Sequence, residues 1–172
     1  MPRLLVVPLS SLEDAISTHA PSHLVSLLSP EHMIETPAGF EASRHLKLGV
    51  NDIVDPAAGP APPARSHIDA LLAFSRGWDG NGPLLIHCWA GISRSMASAF
   101  TILCDRLGPG HEIEIARAMR LRAPHAQPNR LLVSHADEAL GRGGEMLAAL
   151  DAMGPPLLVI EGVTTVFPLV GL

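Results

Sequence analysis

Residues 84–95 read Leu84-Leu85-Ile86-His87-Cys88-Trp89-Ala90-Gly91-Ile92-Ser93-Arg94-Ser95. Three consecutive apolar residues open the stretch, the signature of a short strand buried on both faces in the middle of a sheet. Beyond it Met96, Ala99, Phe100, Leu103 and Leu107 recur at spacings of three and four, a helix ended by Gly108-Pro109-Gly110. A turn from strand end to helix start aims several backbone N–H groups into one concavity, and the helix dipole adds about half a positive charge there. Such a nest suits a phosphate dianion.

The side chains in this turn are matched to the same anion. Arg94 supplies a planar fork that grips two oxygens at once, which lysine does not reproduce. Gly91 lets the backbone turn tightly. The positive surroundings favour the thiolate of Cys88, the nucleophilic form of cysteine. A free Cys at a strand end is ordinarily core packing. Here His87, Cys88, Gly91, Ser93, Arg94 and Ser95 coincide between one strand and one helix, and the chemical reading outweighs the packing one. An Arg at the positive end of a helix also calls for an anion partner.

Working outward, Leu4 to Val7 reads as a buried strand bounded by Pro8, and Ser10 or Ser11 as the cap of a helix carrying Leu12, Ala15 and Ile16. His23 to Leu28 and Arg44 to Val50 are further strands. Between them residues 29–42 form a loop. Residues 51–64, with Pro56, Gly59, Pro60, Pro62 and Pro63, are a second loop. Helices are expected over residues 66–78, 112–121, 129–140 and 144–153. Strands alternating with helices predict an α/β fold, a central mainly parallel sheet flanked by helices, with the active site at the carboxyl end of a central strand. With no repeat and no low-complexity linker, residues 1–172 are read as one domain.

The stretch resembles the His-Cys-five-residues-Arg signature of the protein tyrosine phosphatase superfamily, and Ala90 to Ser95 is most similar to its dual-specificity branch. The resemblance is closest from Arg44 to Leu107. Arg122-Ala123-Pro124 and Pro128-Asn129 match family positions in the later helices, and the tail beyond Gly143 carries no motif of the family. It implies hydrolysis of phosphomonoesters through a phosphocysteine intermediate, without metal or other cofactor. Cys88 is then the nucleophile and Arg94 the phosphate clamp. Ser95 assists departure of the sulfur, and His87 orients the loop and helps keep the thiol ionised. Residues 89–94 bind substrate. The family's general acid, an Asp on an upstream loop, falls on Asp52, with Asp55 in reserve; an Asn-Asp pair is also an ordinary turn former.

Other residues carry weaker expectations. Trp89 and Ile92 either pack on neighbouring loops or rim the pocket against an aromatic leaving group. Ser95 is also a common helix-start cap. Cys104 lies ten helical residues beyond Arg94, about 15 Å along the axis, too far to bridge to Cys88. The remaining histidines show no metal-ligand spacing.

The whole chain sets limits on partners. A net charge of -5 provides no basic field for nucleic acid or anionic membranes. Two cysteines make no disulfide framework, and no signal peptide is read at the start. The apolar tail from Pro155 to Leu172 is interrupted by Glu161 and Pro168, so it is read as core or an edge extension. A cytoplasmic protein is expected. The loop between Cys88 and Arg94 holds no Lys, which favours phosphotyrosine, then other phosphoamino acids or a small phosphomonoester, over polyanionic inositides. A rhodanese-like sulfurtransferase, an arsenate reductase and a non-catalytic phosphate-binding module are the competing readings.

Overall fold

The computed structural model describes residues 1–172. Five strands form one sheet: β1 (Arg3–Pro8), β2 (His23–Leu28), β3 (His45–Gly49), β4 (Leu84–Cys88) and β5 (Thr165–Pro168), in the order β3-β2-β4-β1-β5. The first four are mutually parallel and β5 runs antiparallel along β1. The apolar run of β4 is buried at every residue, as its central place requires.

Alternation along the strands divides the core in two. Leu4, Val6, Leu84 and Ile86 face the larger cluster, packed under α2 (Arg65–Gly77), α3 (Arg94–Leu107), α4 (Glu112–Arg122), α5 (Arg130–Leu140) and α6 (Glu145–Met153). Leu5, Val7 and Leu85 face the other side, closed by Leu12 and Ala15 of α1 (Leu12–His19). Helix α3 is buried from Arg94 through Cys104 and forms the hub of the helical layer. No helix is long and apolar enough to cross a membrane.

The expected strands and helices all form, their ends shifted by a residue or two. Two readings change in substance. The strand expected over 84–86 continues through His87 and Cys88, because β1 pairs with it as far as Pro8 opposite Cys88. Neither Ser10 nor Ser11 caps α1 through its side chain: Leu9–Ser11 is a 3-10 turn and Ser11 makes no capping bond. Ser10 instead hydrogen-bonds Glu161 of the tail. The tail itself ends as the edge strand β5, with Phe167 buried against the helical layer.

Candidate active site

The carboxyl ends of the parallel strands share one edge of the sheet, the usual ligand position in such folds. There the loop from Trp89 to Ser93 joins β4 to α3. Gly91 has φ +69, and a Cβ on it would sit 2.7 Å from Pro8 N and 2.9 Å from Val7 C, so both conformation and space demand glycine.

Carbonyls of this loop are tied from outside by N–H groups of three separate segments. Leu9 donates to Trp89 O (3.1 Å), Gly162 to Ala90 O (2.8 Å), Gln127 to Ile92 O (2.9 Å) and Asn129 to Ser93 O (3.3 Å). In a trans peptide the C=O and the following N–H point opposite ways. Holding these carbonyls outward therefore turns the N–H groups of Ala90, Gly91, Ser93 and Arg94 inward. Those of Ala90, Gly91 and Ser93 meet no protein acceptor. A ring of unspent donors at the mouth of α3 is an anion cradle.

Around it lies a cleft of about 720 Å³ lined by Cys88, Trp89, Ala90, Ile92, Ser93, Arg94 and Asp52, and continuing past Asn129 to Leu150, Met153 and Pro156. Cys88 is 2% exposed, and its Sγ lies 3.1 Å from Ser95 Oγ. Arg94 donates from Nη1 to Val50 O at 2.8 Å, while its Nε is buried without a protein partner. A buried guanidinium N–H without a protein acceptor is unusual, and an anion is the partner that would satisfy it. Cys104 is also a free buried thiol, inside the helical layer; burial pushes its pKa up, with Glu112 adding.

Asp52 and Asp55 part company. Asp52 Oδ1 accepts from Ser93 Oγ (2.7 Å) and Asn129 Nδ2 (2.8 Å), which holds the carboxylate in the cleft wall. Asp55 is not among the cleft residues and accepts from Ala57 N at 2.9 Å, capping a turn. Trp89 is 58% exposed at the rim, beside the His32 ring. Ile92 is half-buried in the same wall.

His87 behaves otherwise than expected. Its Nε2 lies 2.6 Å from Ser26 Oγ, which also meets His45 Nε2 at 2.8 Å, and His45 Nδ1 reaches Thr36 Oγ1 at 3.0 Å. The three side chains sit on adjacent strands, on the face of the sheet away from Cys88's side of the core. Burial holds both imidazoles down at about 4; Lys47 adds to the effect for His45, and His45 and Arg94 for His87. His87 is therefore neutral at working pH. Its Nδ1 lies against the Cys88 main chain without full hydrogen-bond geometry, and no cationic charge is available there to favour the thiolate.

This buried pair has a stability consequence. Unfolded histidines take up protons near pH 6.5, whereas the folded pair resists down to about 4. Stability is thus complete above pH 6.5 and lost as pH falls towards 4, by about 3 kcal/mol if one of the coupled pair counts fully. His23, His67 and His125, also lowered chiefly by burial, act in the same direction. Urea unfolding at pH 7 and 4.5 measures the slope, and His45→Gln is expected to flatten it. An unchanged slope in that variant would remove the pair as its source.

Several residues at the site carried no assigned role in the sequence reading, Asn129 being named there only as a match to a family position. Asn129 caps α5 by accepting from Leu131 and Leu132 N–H, and with its amide it also holds Asp52 and Ile53 O. An Asn before an apolar-periodic run signals the cap, but nothing local signals the second task. Ser26 and His45 belong to strands that meet β4 only in the folded sheet. Gly162 comes from the tail. No cluster of three or more His, Cys, Asp or Glu side chains is placed to hold a metal ion.

No protein-family model matches the chain, and no curated protein matches it in sequence. Solved structures do match. DUSP15 aligns with a TM-score of 0.56 over 89% of this chain and 89% of its own, at 20% identity. Human DUSP28 gives 0.55 over 88% and 95%, at 19% identity. PTPMT1, solved in complex with PI(5)P, gives 0.54 over 80% and 90%, at 16% identity. The chain shares the fold of DUSP15, DUSP28 and PTPMT1.

Proposed function

We propose that this protein is a cysteine-dependent phosphoric monoester hydrolase of the dual-specificity type. The observation that carries the reading is the convergence, around Cys88, of inward loop N–H groups and the unpaired Nε of Arg94. The substrate phosphate sits in this ring, where fixed donors act on the charge of the transferring group. The Cys88 thiolate attacks phosphorus and a P–S bond forms as the P–O bond to the leaving group breaks. Asp52 gives its proton to the departing oxygen. Water then attacks the phosphocysteine, Asp52 accepts the water's proton, and the P–S bond breaks. Ser95 Oγ–H, 3.1 Å from the sulfur, stabilises the thiolate as it leaves.

The cleft favours a substrate with one phosphate and an apolar body. Arg120 and Arg130 line it, but Arg120 spends its donors on the carbonyls of Met153, Pro124, Ala126 and Gly154, and Arg130 pairs with Asp151 at 2.7 Å. Arg120 is therefore spent on the protein's own carbonyls, and Arg130 has a carboxylate partner already. Phosphotyrosine, with its aryl ring against Trp89 and Ile92, fits first. A second reading has a specific observation behind it: Leu157, Leu158, Ile160 and Val163 of the tail are exposed near the cleft, together with Trp89 and Val54. That apolar surface suits a lipid phosphomonoester, and PTPMT1 was solved with one.

The test is phosphate release from an aryl phosphate, a phosphotyrosine peptide and a phosphoinositide in mixed vesicles, with thiosulfate and cyanide as a sulfurtransferase control. Turnover on the aryl phosphate and the peptide is expected, and fastest turnover on the inositide would favour the second reading. No phosphate release from any of them, with the thiols reduced, would leave a phosphate-binding module; thiocyanate production would leave a sulfurtransferase.

A further inference from the structure

The tail between α6 and β5 returns to the active site from outside. Gly162 is buried there, donating to Ala90 O at 2.8 Å, and the preceding Glu161 accepts from Ser10 Oγ, just after β1. Gly162 does not occupy the left-handed region, so its backbone alone would admit any residue. Space forbids it. A Cβ at 162 would lie 2.7 Å from His125 Nε2, 2.8 Å from His125 Cδ2 and 2.9 Å from Gly91 O. The His125 ring is buried at 4% exposure and Gly91 is fixed against the end of β1, so neither neighbour has room to give.

We infer that Glu161-Gly162 is a positioning strap for the phosphate-binding loop, a part of the catalytic centre contributed by the tail. This rests on the phosphatase reading for its kinetic meaning, although the binding it governs is measurable without turnover. The Gly162 N–H holds the Ala90 carbonyl outward, and by peptide planarity this aims the Gly91 N–H at the bound phosphate. Of the four outside ties on the loop, this one alone comes from beyond α6. The Ser10–Glu161 bond pins the strap to the sheet beside β1, and the absence of a side chain at 162 lets it approach within hydrogen-bond distance. Without the strap, the Ala90–Gly91 peptide is free to rotate and one donor of the cradle is lost.

Gly162→Ala is the direct test. Its methyl must displace the strap by several tenths of an ångström to reach ordinary contact, which lengthens and weakens the 2.8 Å bond to Ala90. The readouts are protection of Cys88 from iodoacetamide by inorganic phosphate, KM and kcat for an aryl phosphate, and the thermal midpoint. Protection is expected to need about tenfold more phosphate, the worth of one hydrogen bond to a charged group, and KM is expected to rise with it. A lower midpoint with phosphate protection and KM within twofold would make the strap merely structural and overturn the inference.

Should Gly162→Ala not fold, Glu161→Ala carries the test through an exposed side chain, with Glu161→Gln, which keeps an acceptor for Ser10, as the rescue. A several-fold loss of phosphate affinity in the first and not the second supports the strap; equal affinity in both overturns it. If phosphate protects the unmutated protein but no phosphomonoester is hydrolysed, the proposed function falls and the strap stands on binding. If phosphate does not protect the unmutated protein at all, both fall.

Discussion

Cys88→Ser is expected to abolish turnover, by about 10⁴-fold or more in kcat, while phosphate still binds. A serine hydroxyl is close in size to the thiol and can keep the contact that Cys88 makes with Ser95 at 3.1 Å. The cradle of N–H groups is built by the ties from Leu9, Gly162, Gln127 and Asn129, none of which involves the sulfur. What is lost is the nucleophile, because a hydroxyl at neutral pH has neither the anionic fraction nor the softness of a thiolate. Arg94→Lys should separate the other half of the machinery. Lysine retains a charge but not the fork, and it cannot hold Val50 O, as Nη1 does, while offering further donors to a phosphate. A fall of about 10²–10³-fold in kcat/KM is expected, in the range for removing one oriented donor to a developing anion. The measurement is steady-state kinetics on an aryl phosphate beside isothermal titration with inorganic phosphate. Residual turnover in Cys88→Ser within a hundredfold of the unmutated rate would exclude a phosphocysteine intermediate.

The division between what is local and what is not explains how far the sequence could be read. The loop from His87 to Ser95 was legible because its chemistry lies within one strand, one turn and one helix start, so spacing alone places the groups. The sheet was legible for the same reason: β1, β2 and β4 are short, mainly apolar runs bounded by proline, glycine or polar residues, and β3 alternates. The site's supports are of another kind. Ser26 and His45 reach His87 only because β2 lies between β3 and β4 in the sheet, an order opposite to nothing in the local pattern but invisible in it. Asn129 meets Asp52 across 77 residues. Gly162 approaches Ala90 only after the chain has passed through the four helices α3 to α6, and it looks in sequence like any loop glycine. His87 shows the converse. Its place beside Cys88 was evident, but its charge state depends on burial and on His45, which only the fold supplies.

Asp52→Asn is expected to lower kcat by about 10²–10⁴-fold on alkyl or peptide phosphates and far less on an aryl phosphate whose leaving group departs without a proton. The geometry makes the substitution a clean one. Oδ1 of Asp52 is occupied by donors from Ser93 and Asn129, so Oδ2 is the oxygen left to carry the proton to the leaving group. An asparagine can accept both of those bonds through its own Oδ1 and stay in the cleft wall, presenting an amide where the acid stood. Binding should therefore persist, and KM should change little. Asp55→Asn serves as the contrast, since Asp55 lies outside the cleft and only caps the turn at Ala57. If Asp55→Asn lowers kcat more than Asp52→Asn, the acid has been assigned to the wrong carboxylate. If neither variant distinguishes good from poor leaving groups, protonation comes from solvent, and the bonds from Ser93 and Asn129 to Asp52 serve only to close the loop over the cleft.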